Sequence, residues 1–154
     1  MPGSDPRHWL HRLTADEWLR AGMKELSTAR SAMSQHQQRP ALASLRRAAG
    51  MGWNAVLALQ AEPDARYGRS YADHLRALAG GIEPGDDAAH PVPAAVREAA
   101  QRLMDDPASR RTEVVQILTR ARDEALLAAA ETVLAEAYTR VLRASAPRPP
   151  VARP

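Results

Sequence analysis

The 154-residue chain has no cysteine, no phenylalanine and a single lysine, Lys24. Without cysteine there is no disulfide framework and no thiolate chemistry, which fits a reducing compartment. No stretch reaches the ~18 apolar residues that a membrane span needs. The best candidate, "ALLAAAETVLAEAY", is interrupted by Glu131 and Glu136. The opening "MPGSDPRHWLHRL" has no continuous apolar run and does not read as a secretory signal. These absences make a soluble, cytoplasmic protein with no membrane partner the expectation.

Aromatic residues are scarce, at three Trp and three Tyr. A dedicated nucleic-acid binder carries a dense basic stripe, often with aromatics for stacking. Here the formal charge is only +3, from 21 basic and 18 acidic residues. Up to Gly81 there are 11 basic and 7 acidic residues, and after it 10 and 11. That mild bias argues against a tight standing nucleic-acid partner and leaves room for a transient RNA encounter. The arginine and alanine usage hints at a GC-rich bacterial genome. A Gly-Lys-Ser/Thr phosphate loop, a Gly-x-Ser-x-Gly elbow and a His-Glu-x-x-His pair are all missing. No cofactor is expected. His8 and His11 stand close together, but two imidazoles without a neighbouring carboxylate make a weak metal site, so no metal is expected either.

What the sequence does contain is helix. The length suits one domain able to bury a core without staples. Residues 1–13 read as an arm, with Trp9, Leu10 and Leu13 to dock it. Thr14 and Glu17 form a capping box, flanked by Leu13 and Trp18 at the staple positions. Leu19, Met23, Leu26, Ala29 and Met33 then recur at helical spacing, predicting a helix to about Gln37. Pro40 suits the first turn of a second helix, whose stripe is Leu42, Leu45, Ala49, Trp53 and Val56. Gly50 and Gly52 inside it predict that another helix approaches closely. A third helix is expected over about 71–79, stopped by Gly80 and Gly81. Pro93 opens a fourth, and "DDP" at 105–107 breaks it. The long run after it, "ARDEALLAAAETVLAEAYTRVL", is a fifth. Whether "SRRTEVVQIL" belongs to that helix or to a loop before it is left open. The tail at 146–154 is too rich in proline to continue a helix and has little to bury. No segment alternates like a strand, and the helices are too unequal for a tetratricopeptide array. The expected class is all-α: an up-and-down bundle of about five helices over 14–145.

The order of these segments resembles the HEPN superfamily of small helical domains. The parts are a first helix opening "ADEWLRAGMKEL" and an alanine-rich second helix "ALASLRRAAGMGWNAVLAL". A short "SYADHLRALA", then "VPAAVREAAQRLMDDP" and a last helix with paired alanines follow. The resemblance implies a homodimer packed through helices near a shared cleft. One branch of the family is a metal-independent ribonuclease of toxin type, with Arg and His four to six residues apart. Another branch lacks that motif, accompanies a small nucleotidyltransferase and carries an "SRY" stretch. Ser109, Arg110 and Arg111 stand at the corresponding place without the Tyr, which weakens that match. The resemblance makes these arginines the candidate contact for a nucleotide or phosphate. Paired arginines at a helix start are otherwise simply solvated, at a small cost against the helix dipole.

Arg69 and His74 are the candidate catalytic pair. On a continuous helix five steps place residues ~140° apart, on different faces. But Ser70 and Asp73 form a second capping box, which puts Arg69 and His74 at the two staple positions, where side chains meet. A histidine can take and return the proton in cleavage by a ribose hydroxyl, and an arginine can stabilise the phosphate charge. Against this, the box explains Ser70 and Asp73 without chemistry. Asp73 brings negative charge to the phosphate site, and in the family the motif begins a later helix. The plainer reading is a helix start with a surface Arg–His contact. The favoured function is therefore a non-catalytic accessory or regulatory module acting through dimerisation and partner binding. A ribonuclease using Arg69 and His74 is one alternative. A scaffold that docks a larger complex through its termini is the other.

Overall fold

The computed structural model describes residues 8–62, 64–85, 89–105 and 116–147, without the side chains of 116–119. Five α-helices account for most of it: α1 (Ala15–Ser34), α2 (Gln38–Leu57), α3 (Tyr71–Ala79), α4 (Ala94–Met104) and α5 (Gln116–Ser145). Short 3₁₀ turns at Trp9–Arg12 and Ala65–Tyr67 precede α1 and α3. Among the described residues there is no strand, and no helix is long and apolar enough to cross a membrane. The all-α bundle expected from the sequence is what forms.

The starts follow their local chemistry. The Thr14 hydroxyl accepts from the Glu17 N–H (3.2 Å), and the Glu17 carboxylate accepts from the Thr14 N–H (2.7 Å). Pro40 lies in the first turn of α2, where its missing N–H leaves no bond unmade. The stops follow too, with one difference. α1 ends at Ser34, three residues short of the expected Gln37. Gln37 N–H bonds Ala32 O and His36 N–H bonds Met33 O, a Schellman closure. His36 takes the left-handed conformation this requires (φ 57°), a place usually filled by glycine. With histidine there, no glycine marks the stop.

α2 is the axis of the bundle. It packs against each of the other four helices, so from Ala48 to Leu57 it is buried almost all round. This is why its inward face is wider than the predicted stripe. Its glycines are where neighbours come closest. A Cβ on Gly52 would lie 2.6 Å from Leu134 of α5, and one on Gly50 would lie 2.6 Å from Tyr71 at the head of α3. Gly22 of α1 is pressed against the Ala48 carbonyl and Leu134 in the same way, at 2.9 Å from each. The close approach expected at Gly50 and Gly52 is thus present on two sides of α2.

Charged side chains tie the ends. The Arg46 guanidinium donates to Leu103 O (2.6 Å), satisfying a carbonyl at the end of α4, while Arg47 is exposed beside Glu25 (3.3 Å). One of the two arginines thus covers an edge and the other faces solvent. Arg140 of α5, which the sequence did not single out, is buried. It donates to Glu136 (2.8 Å) and His90 O (2.8 Å), and its guanidinium lies 5.9 Å from the Trp53 ring centre.

Candidate functional site

The region around Arg69 and His74 is built by three short segments: the arm turn, the turn at 65–67 and the head of α3. Asp64 caps the second turn, its carboxylate accepting from the Arg66 N–H (3.0 Å) and pairing with the Arg66 guanidinium (2.6 Å). That pairing holds the Asp64 carboxyl below the usual carboxylate range. Gly68 follows with φ 66°, and a Cβ there would lie 2.7 Å from Asp73, so the chain can turn into α3 only with glycine at this point. Ser70 then caps α3. Its hydroxyl accepts from the Asp73 N–H (3.1 Å), and the Asp73 carboxylate accepts from the Ser70 N–H (3.3 Å). The predicted capping box is present, and its bonds hold the Asp73 carboxyl below the usual carboxylate range.

His74, at the fourth position of α3, has no exposed surface. Its ring is stacked on Trp9 of the arm, with centroids 5.8 Å apart and planes 13° from parallel. Tyr67 and Tyr71 meet it edge-on at 6.4 and 6.5 Å. Neither ring nitrogen has a partner at hydrogen-bond geometry. Burial pushes the imidazole below its ordinary value of 6.5 and keeps it neutral. The backbones of Gly68 and Gly50 and the Asp73 charge pull the other way without prevailing. Arg69 is exposed, on the rim of a cavity of about 280 Å³ between the arm and the 64–69 segment. Surface contact between Arg69 and His74, the plainer expectation, is therefore corrected. The capping geometry is right, but the histidine belongs to the core. The reason is the arm, whose Trp9 supplies the lid that Arg69 would otherwise have supplied. An aromatic at position 9 was visible in the sequence. What it covers was not, because the contact spans 65 residues.

The same lid covers the head of α1. Trp9 meets Trp18 at 6.2 Å with planes 80° apart, and the Trp18 indole N–H donates to Leu10 O (2.9 Å). Nearby, Tyr67 donates to Ile82 O, and burial pushes its phenol up to about 12. As enclosed here, the His74 ring has no route to a phosphodiester, so general base chemistry on RNA requires the arm to leave first.

The remaining sequence candidates lie elsewhere. Arg110 and Arg111 fall outside the described residues. His8 and His11 sit together in the arm, 6.1 Å between ring centres, but the His8 Nδ1 accepts from the Leu10 N–H (3.3 Å). Among the described residues no cluster of three metal-ligating side chains forms. A broader cleft of about 690 Å³ lies between the α1–α2 turn and α5, lined by His36, Arg120, Asp123 and Glu124 among others. Burial raises the Asp123 carboxyl there. No family model, curated protein or solved structure matches the chain.

Proposed function

We propose that the chain is a non-catalytic, HEPN-like accessory or regulatory module that works as a homodimer through the outer face of α1 and α5. The observation that carries this reading is a group of large apolar side chains left in solvent. Met23 is 62% exposed, and Tyr138 and Leu142 are each 53% exposed.

Helical arithmetic places them together. Arg30 pairs with Glu131 (2.5 Å) while Gly22 faces Leu134, so α1 and α5 run antiparallel. Seven residues back from Arg30 is Met23, and seven forward from Glu131 is Tyr138. Seven residues are close to two turns, so both share the ion pair's face about 10 Å along it. Leu142 follows one turn later. Met and Tyr are residue types favoured in protein interfaces, and a two-fold dimer buries the same patch on both copies. The ribonuclease alternative gains nothing from this face and needs His74 uncovered. The scaffold alternative needs a free arm, whereas Trp9 is stacked on His74, or rests on the tail at 148–154, outside the described residues.

Sedimentation velocity tests the reading. The native chain is expected to sediment as a dimer, and Tyr138→Glu with Leu142→Glu as a folded monomer. A native monomer at tens of micromolar overturns it. The nucleotide or phosphate contact at Arg110 and Arg111 belongs to the same reading. It predicts a thermal shift with ATP or inorganic phosphate that Arg110→Ala with Arg111→Ala abolishes.

A further inference from the structure

We infer that the N-terminal turn Trp9–Arg12 is a releasable strap, held closed by a neutral His74 and let go when that imidazole takes up a proton. The inference stands apart from the dimer reading and uses a different part of the molecule.

Two features of the geometry point to it. The first is what the strap covers. His74 is fully enclosed, and neither nitrogen is at hydrogen-bond geometry, although the Gly68 and Gly50 backbones lie near enough to favour the proton. An imidazolium in that position carries two N–H donors and a charge away from water, which is costly unless the enclosure opens. The side of the enclosure that can open is the Trp9 stack. The other walls are Tyr67, tied to Ile82, and Tyr71, pressed on Gly50 of the central helix. The second is how lightly the strap is held. Its inward anchors are the Leu10 side chain, the Trp9 ring and a single hydrogen bond, from Trp18 to Leu10 O. The indole N–H of Trp9 and Nε2 of His11 are buried without partners. Beside the strap, the cavity at Arg69 leaves its edge unpacked. Undocking therefore breaks few bonds and frees three unpartnered groups for water.

Titratable or polar groups lie on each segment around His74. The arm contributes His8, whose ring centre is 5.7 Å from that of Trp9, and His11, 6.1 Å from His8. The 64–69 segment contributes Asp64, Arg66, Tyr67 and Arg69. α3 contributes Tyr71 and Asp73, and Asp73 favours the proton. α2 contributes the Gly50 backbone and the buried Asn54, with no charge. Among these imidazoles only His74 has no exposed surface, so it is the group whose charging the enclosure resists.

Amide hydrogen exchange on the full chain, corrected for the intrinsic pH dependence of exchange, tests the strap. Between pH 7.5 and 5.0, protection of residues 8–13 is expected to fall, by about tenfold per pH unit as pH drops from 6.5 toward the lower folded-state value. Protection of α1–α5 and the helical circular dichroism are expected to stay. His74→Leu should remove the pH dependence, whereas His8→Gln with His11→Gln should keep it. Trp9→Ala should leave 8–13 unprotected at every pH, a check that remains if His74→Leu does not fold. Protection of 8–13 that ignores pH, that falls equally in His74→Leu, or that is lost together with all the helices would each overturn the inference.

Discussion

Helices α1 and α3 are assembled from the same parts. Each starts with a reciprocal capping box, Thr14 with Glu17 and Ser70 with Asp73. Each stops with a Schellman closure: Gln37 to Ala32 and His36 to Met33 in α1, Ile82 to Ala77 and Gly81 to Leu78 in α3. Each offers a ring at its fourth position to the same Trp9. The two diverge where a histidine enters. At the fourth position α1 has Trp18, whose N–H finds a carbonyl, and α3 has His74, whose nitrogens find none. At the stop α3 has Gly81 (φ 80°), and α1 has His36 (φ 57°). The shared parts fix where a helix begins and ends. The differences show where the chain accepts a cost that the other helix avoids.

Substitutions at the paired positions test how far the two helices are alike. The largest effect is expected at the fourth positions, with opposite signs. Trp18→Ala should lose ~3–5 kcal/mol in urea unfolding, the usual loss for a buried Trp. His74→Leu should gain stability at pH 7.5, by up to ~3 kcal/mol, because an unsatisfied polar group is replaced by an apolar one. The pH dependence follows from the same residue. Its folded value lies below 6.5, so between the two values the unfolded chain holds more protons. Stability is then complete above pH 6.5 and falls as pH drops toward the folded value, and in His74→Leu that slope should be absent.

The caps come next. Thr14→Ala and Ser70→Ala should each cost ~1 kcal/mol, and equal losses would confirm that the two starts are equivalent. The smallest effect is expected at the stops. His36→Gly relieves ~1–2 kcal/mol of left-handed strain and adds ~0.5–1 kcal/mol of backbone entropy cost, leaving a gain of about 0.5 kcal/mol. Gly81→Ala should lose stability instead.

The comparison also explains what the sequence could and could not disclose. Capping boxes and helical stripes are local, so the starts of α1 and α3, the end of α3 and the breaks around α4 were all readable in it. Gly50 and Gly52 were readable as close approaches because a glycine in a helix leaves room for a neighbour. The end of α1 was hidden because His36 does a glycine's work. The burial of His74 was hidden because it depends on Trp9, distant along the chain. Arg140 was hidden likewise, since its partners Trp53 and His90 lie on other segments. Arg69 and His74 were correctly placed on either side of a helix cap. Their separation into surface and core is a tertiary effect.

The most direct measurement is an NMR titration of the His74 ring in the folded chain, assigned by comparison with His74→Leu. The account predicts that the imidazole stays neutral well below pH 6.5, while Trp9 remains stacked on it. A ring that titrates at 6.5 or above would contradict the enclosed neutral histidine on which both the comparison and the strap depend.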